Sequence, residues 1–380
     1  MKNIVFLINS IGSGGAESAL FNIIKAIPEN IKKDVCIHLV LLDDETQLKP
    51  VPTNVELHIL DAERSLFRSL LQCHKLFKKI KPDIVVSFLV RANMVNSCLR
   101  KLSLYKASIV CERMHLSSHL LFQLSGVKAW LANFLPKILY KYNDLVLGVS
   151  TGVTDDLIAH YGVPSEKTIT IYNPYDISLL QHQANQPLAD NLILPEHFIV
   201  TVGRLTKSKD QSTLLKGFAK ANTKLSLVLI GIGDLEAEMR ELAASLSIAE
   251  RVVFTGYLKN PHTVIAKAKF FMSTSRNEGF PNALLESMVL AKPIAFTSCN
   301  SGPAEILGQY QNFKAEELTE CDYGLLIPEG SSDDVAKAIA LFEDAETLSK
   351  YSQLSVKRSQ DFTLEKIAGQ YWDQILKLCH

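Results

Sequence analysis

Glu278 and Glu286 stand eight positions apart, and Gly279, Phe280 and Pro281 follow directly on the first of them. An apolar run, Ala268-Lys269-Phe270-Phe271-Met272-Ser273, precedes Glu278, and Asn282-Ala283-Leu284-Leu285 leads into Glu286. The pattern reads as a strand, a tight turn and a helix. Pro281 suits a first helical turn, where its missing N–H leaves no bond unmade. The backbone N–H groups of such a turn have no partner inside the helix and form an anion site. An acid at the lip, amides behind it and a second acid two turns on fit a phosphate flanked by hydroxyl-bearing rings. A nucleotide sugar has that form. The plainer alternative is a turn carrying two solvated glutamates, and Gly-Phe-Pro between the acids weighs against it.

Counter-charge for such a ligand lies upstream, where the run 198–202 leads into Gly203-Arg204-Leu205-Thr206-Lys207-Ser208-Lys209-Asp210. The planar fork of Arg204 and the point charge of Lys209 can clamp two adjacent phosphates. A solvated basic loop is the alternative. The chain has no D-x-D and no His/Asp/Glu group at metal-ligand spacing. Leaving-group charge would then fall to Arg204, Lys209 and helix-end amides, without a metal ion. Gly231-Ile232-Gly233 and Thr255-Gly256-Tyr257-Leu258 follow two further strands. They are candidates to hold a base, or ordinary turns.

The first half offers Ile11-Gly12-Ser13-Gly14-Gly15-Ala16-Glu17 after the opening strand. Glycines allow close backbone approach to a ligand. Glu17 stands where a dinucleotide fingerprint needs its third glycine, which disfavours a nicotinamide oxidoreductase. Cys111-Glu112-Arg113-Met114-His115 follows another strand, and His115 is a candidate to touch a sugar or an incoming hydroxyl. Ser301-Gly302-Pro303-Ala304-Glu305 is one more strand-to-helix loop.

Short β-branched runs alternate with helical patterns throughout. Strands are expected at 4–8, 35–42, 55–60, 84–88, 107–111 and 145–149, then at 198–202, 225–230, 252–255, 270–273, 293–297 and 324–327. This alternation implies α/β architecture with two doubly wound parallel sheets. The expected boundaries are 1–175, 176–362 and a final helix in 363–380 packing back on the first domain. In open parallel sheets ligands sit at the carboxyl ends of strands, where all these loops fall.

Composition excludes other classes. The 380 residues are 47% hydrophobic and 21% charged with zero net charge, an ordinary globular balance that gives no reason to expect nucleic acid. Seven scattered cysteines, with no C-x-x-C, suit a reduced cytoplasmic protein. The N-terminal apolar run ends at once in Asn9 and glycines, so it reads as a strand and not a leader. No apolar stretch is long enough to span a bilayer. Charge is nevertheless uneven, because 61–150 holds nine Lys and five Arg against three Asp and two Glu.

Taken together, the segments resemble retaining glycosyltransferase family 4, with its GT-B fold of two Rossmann-like domains facing a central cleft. The likeness rests on Gly14-Gly15-Ala16-Glu17, Asn173-Pro174, Gly203-Arg204-Leu205 with Lys209, Glu278-Gly279-Phe280-Pro281 with Glu286, 301–305, and Gly324-Leu325-Leu326-Ile327-Pro328. It implies a nucleotide-sugar donor, UDP-linked before GDP-linked, in the second domain and an acceptor in the first. Arg204 and Lys209 would bind the diphosphate and Glu278 the sugar. Gly279, Phe280, Pro281, Asn282 and Leu285 would line the donor site, with Gly233 and Leu258, and Glu286 would hold the ribose. Gly14, Gly15, Arg113 and His115 would serve the acceptor. The Glu-Arg variant is similar to enzymes that extend lipid-linked glycans or build surface polysaccharides, including lipopolysaccharide.

The basic segment fits a lipid-linked acceptor. Its stretches 66–80 and 116–142 place apolar and Lys residues in amphipathic order, suited to the inner membrane face. A core-facing helix with a basic rim is the alternative. The competing functions are a nucleotide-sugar epimerase on the same fold and a non-catalytic partner subunit that binds sugar nucleotides.

Overall fold

The computed structural model describes residues 1–12, 14–45, 50–118, 126–189, 192–308, 310 and 313–379, and of 126–132 the backbone alone. Two compact units emerge, Met1–Tyr175 with Phe362–His380, and Asp176–Asp361.

In the first unit the β-branched runs become β1 (Lys2–Ile8), β2 (Val35–Leu41), β3 (Glu56–Ile59), β4 (Ile84–Phe88), β5 (Ala107–Glu112), β6 (Leu145–Gly148) and β7 (Thr168–Thr170). They form one parallel sheet in the order β3-β2-β1-β4-β5-β6-β7. Helices Gly15–Lys25, Leu66–Ile80 and Val90–Lys101 make the crossovers that parallel pairing requires. Ile4 to Ile8 and all of β4 are buried, because helices cover both faces of the sheet. The last helix, Leu364–Cys379, is amphipathic and buries Ile367, Tyr371, Trp372 and Ile375 in this unit's core. Trp372 Nε1 donates to the Ile23 carbonyl at 2.8 Å, which satisfies its polar handle inside the core.

The second unit repeats the plan with β8 (Phe198–Val202), β9 (Ser226–Ile230), β10 (Val252–Gly256), β11 (Phe270–Ser273), β12 (Ile294–Thr297), β13 (Thr319–Cys321) and β14 (Gly324–Ile327). Their order is β10-β9-β8-β11-β12-β14-β13. Only β13 runs antiparallel, as an edge pairing Cys321 with Gly324. Strand order reverses between β8 and β11, which pair in parallel through Ile199↔Phe270 and Val200↔Phe271. Such a reversal opens a crevice beyond the strand ends.

Two expectations are corrected. The strands β7 and β13 were not foreseen, because each has three residues and half-exposed polar positions in place of an apolar run. Pro281 lies one position outside the helix Asn282–Val289 as its N-cap, with φ −73° and ψ 99°. No helix among the described residues is long and apolar enough to cross a membrane.

Candidate active site

The crevice of the second unit is built by the loops after β8 and β11, held together through the backbone. Arg276 N–H donates to the Ser208 carbonyl at 2.8 Å, and Thr274 Oγ1 donates to the Asp210 carbonyl at 2.8 Å. Asp210 takes a left-handed φ of 47°, which turns the chain into the helix Gln211–Lys220. Its carboxylate accepts from Thr213 Oγ1 at 2.8 Å and pairs with Arg276 Nε at 2.7 Å. The buried Asp210 therefore fixes both loops at once.

This stitching delivers Lys209 Nζ to within 2.5 Å of Glu278 Oε1, and both side chains are mostly buried at 23% and 13% exposure. Arg204, expected beside Lys209, is exposed at the start of the same loop. The stem of Lys209 runs over Gly203, 3.6 Å from where a Cβ would stand. Ser301 Oγ donates to the Glu278 carbonyl at 2.5 Å. Gly302, with φ +92°, packs so closely that a Cβ would meet Pro281 Cδ at 2.6 Å. The loop 301–305 thus buttresses the turn that carries Glu278. Phe280, Pro281 and Leu285 are buried beneath that turn, and Gly279 and Asn282 lie along it.

Glu286 projects from the helix and is 22% exposed, with His262 Nε2 3.4 Å from its Oε2. His262 was not foreseen. It opens the short helix His262–Ile265 after β10, where Asn260 Oδ1 accepts from His262 N–H at 3.2 Å and lies 3.1 Å from the ring Nδ1. Leu258 sits in the loop between β10 and that helix, half-buried. Gly233 has a tighter reason for its type: a Cβ there would lie 2.2 Å from the Leu205 carbonyl oxygen. It lets the loop after β9 press against the loop that bears Arg204 and Lys209.

In the first unit, Gly14 caps the helix Gly15–Lys25. A Cβ at Gly14 would lie 2.5 Å from Glu17 Oε2, so the Glu17 carboxylate covers this helix start. A negative charge there opposes a phosphate and leaves room for hydroxyl groups. Glu112 is fully buried and accepts from Tyr140 Oη at 2.9 Å and Arg113 N–H at 3.0 Å. Burial pushes its carboxyl up from an ordinary 4.5 to about 7. Arg113 corrects an expectation. Its guanidinium is buried against Asn173 Oδ1 and donates to Tyr371 Oη at 2.9 Å, which commits it to holding the unit together. His115 Nδ1 is 2.9 Å from Ser118 Oγ and 3.8 Å from the buried Asp156 carboxylate. That aspartate also takes Ser117 Oγ at 2.6 Å and His160 Nδ1 at 3.1 Å.

Comparison with known proteins follows the same division. Residues 13–179 match the family model Glycosyltransferase Family 4, and residues 188–358 match Glycosyl transferases group 1. The chain is 27% identical over 379 residues to a Campylobacter jejuni N-acetylgalactosamine-N,N'-diacetylbacillosaminyl-diphospho-undecaprenol 4-alpha-N-acetylgalactosaminyltransferase, covering 97% of this chain and 98% of that one. It is 28% identical over 172 residues to the lipopolysaccharide 1,6-galactosyltransferase of Salmonella typhimurium, covering 44% of this chain and 46% of that one. Among solved structures, HepE of Anabaena in complex with UDP and glucose superposes with a TM-score of 0.77 at 20% identity, covering 99% and 100% of the two chains.

Proposed function

The chain belongs to glycosyltransferase family 4 and has its GT-B fold, and from that premise we propose a retaining transfer of a hexose or N-acetylhexosamine from a UDP-sugar to a lipid-linked glycan. The observation that carries the reading is the pairing of Lys209 with Glu278 at the switch point of the second sheet. A cation and a carboxylate held together there match the two ends of a sugar diphosphate. The diphosphate draws Lys209 and Arg204, and the sugar hydroxyls draw Glu278. Glu286, two turns further on, accepts from the ribose.

Bond cleavage at the anomeric carbon leaves its electron pair on the β-phosphate oxygen. Lys209, Arg204 and the Gly279 amide stabilise that charge, with the positive end of the Asn282–Val289 helix behind them. The acceptor hydroxyl attacks from the same face and gives its proton to the departing phosphate, so configuration is retained. Lys209 and Arg204 supply the charge that a metal ion gives in other transferases, and no metal is required.

The first unit is proposed to hold the acceptor through Gly14, Gly15 and His115, with Arg113 serving as a brace. The undecaprenol-linked substrate named for the Campylobacter relative supports a lipid-linked acceptor. So does the helix Leu66–Ile80. It buries Ser69, Cys73 and Phe77 and leaves Phe67 69% and Leu71 49% exposed, beside the exposed Lys75, Lys78 and Lys79. Such a stripe suits the cytoplasmic face of an anionic membrane.

Incubation with a panel of UDP- and GDP-sugars tests the reading through slow donor hydrolysis. Release of UDP together with an α-configured sugar is expected. Release of an isomerised nucleotide sugar, or no turnover of any donor, overturns it.

A further inference from the structure

We propose that Cys36, His38 and Glu56, with His58 as a fourth donor, form a site for a divalent cation of the zinc type at the edge of the first sheet. It is independent of the sugar-transfer reading. The strands β2 and β3 pair in parallel with His38 opposite Glu56 and Val40 opposite His58. Alternation along each strand then sets 36 and 38, and 56 and 58, in two-residue steps. Their polar atoms converge. Cys36 Sγ is 3.3 Å from Glu56 Oε1, His38 Nδ1 is 3.3 Å from Glu56 Oε2, and His38 Nδ1 is 3.2 Å from His58 Nε2.

The donor atoms of Cys36, His38 and Glu56 all lie within 4.8 Å of one another. Zinc bonds of about 2.0–2.3 Å in a tetrahedron give donor-to-donor edges of about 3.3–3.6 Å. The three separations above are close to those edges, and His58, 3.2 Å from His38 Nδ1, would turn in to complete the set. Sulfur, imidazole and one carboxylate are a borderline-soft set that prefers zinc to magnesium or calcium.

The burial of His38 agrees with this. His38 is 6% exposed and its Nε2 has no partner, so its bonding is directed through Nδ1 into the cluster. Ligation through Cys36 would displace the thiol proton. Bound there, the cation would clamp the four-residue edge strand β3 to β2. Sequence spacing does not display the site, because a Cys-x-His and a Glu-x-His separated by 17 residues become neighbours only when the strands pair.

The test uses the full chain, tag removed and stripped of metal, titrated with Co²⁺ and then Zn²⁺. One equivalent of Co²⁺ is expected to give tetrahedral visible bands and a thiolate charge-transfer band, both displaced by Zn²⁺. Cys36→Ser should abolish the charge-transfer band, and Cys98→Ser should leave it unchanged. Glu56 is exposed on the edge strand, so Glu56→Gln keeps the fold by circular dichroism and should weaken Zn²⁺ by about tenfold or more. A featureless cobalt titration overturns the site. So does a spectrum that survives Cys36→Ser, or Zn²⁺ affinity unchanged in a folded Glu56→Gln protein.

Discussion

Lys209 Nζ lies 2.5 Å from Glu278 Oε1, although the two are 69 positions apart in the chain. In the proposed reading, a diphosphate and a sugar hydroxyl share this ammonium–carboxylate pair. On that reading Lys209 would gain most as the phosphate departs and its charge grows, a transition-state interaction. Lys209→Ala should therefore lower kcat by about 10²–10³-fold with a smaller change in donor KM. Glu278→Gln should also lower kcat, and in addition free Lys209. Steady-state kinetics on folded variants is the measurement, and near-wild-type kcat in Lys209→Ala would remove it from the chemistry.

Glu286 is proposed to serve binding and not the chemical step. Removing a charged acceptor from a ribose hydroxyl costs about 1.5–3 kcal/mol. Glu286→Ala should raise donor KM by about tenfold or more and leave kcat within a few-fold. His262→Ala should raise it less, because His262 touches Glu286 without hydrogen-bond geometry. Isothermal titration with UDP reads the same loss directly. Wild-type UDP affinity in Glu286→Ala would place the ribose elsewhere.

Metal independence is part of the proposal, motivated by the missing D-x-D and by Lys209 and Arg204 in the loop after β8. Activity should persist in excess EDTA and should not rise with Mg²⁺ or Mn²⁺. The assay belongs well below Tm, since a cation on the β2–β3 edge would act on stability. Loss of turnover with EDTA, restored by Mg²⁺ or Mn²⁺, would transfer the leaving-group role from Lys209 and Arg204 to a metal.

The α/β class and most strands are legible because buried parallel strands are continuous apolar runs, as in Ile84–Phe88 and Phe270–Ser273. Three-residue edges such as Thr168–Thr170 carry no such run. At the candidate site, Glu278, Glu286 and Lys209 announce themselves by local spacing, but their partners do not. His262 reaches Glu286 from another helix, and Asp210 holds Arg276 across a pair of strands. Arg113 misleads for the same reason. Its neighbours Asn173 and Tyr371 are far along the chain, and they turn a ligand-like arginine into a brace.

Glu112 gives the first unit a pH dependence. Its carboxyl is raised by burial from 4.5 to about 7, so between those values the native state holds a proton that the unfolded state has lost. Stability from this group is full below about pH 4.5 and declines as pH rises to about 7, by on the order of 3 kcal/mol at most. Glu112→Gln keeps a neutral hydrogen-bonding side chain beside Tyr140 and removes the titration. Its Tm should exceed that of the wild type at pH 8, and the difference should shrink towards pH 5. A Tm difference that does not vary with pH would mean that Glu112 is charged throughout.

Membrane contact is proposed for the helix Leu66–Ile80, where Phe67 and Leu71 are exposed one turn apart with Lys75 and Lys78 continuing the stripe. Each Lys or Arg near an anionic leaflet adds about 1 kcal/mol, and the field is screened within about 8–10 Å at physiological salt. Burial of two large apolar side chains adds a part that salt does not weaken. The two parts predict different responses. Liposomes rich in anionic lipid should sediment the protein at low salt and release most of it as salt rises. Phe67→Ser with Leu71→Ser should abolish the salt-resistant remainder while turnover of a water-soluble acceptor is unchanged. The second expected stretch, 116–142, falls partly outside the described residues, so the double variant tests the helix Leu66–Ile80 alone. Equal failure to sediment with neutral and anionic liposomes at low salt would leave the excess basic charge of 61–150 to an anionic acceptor alone.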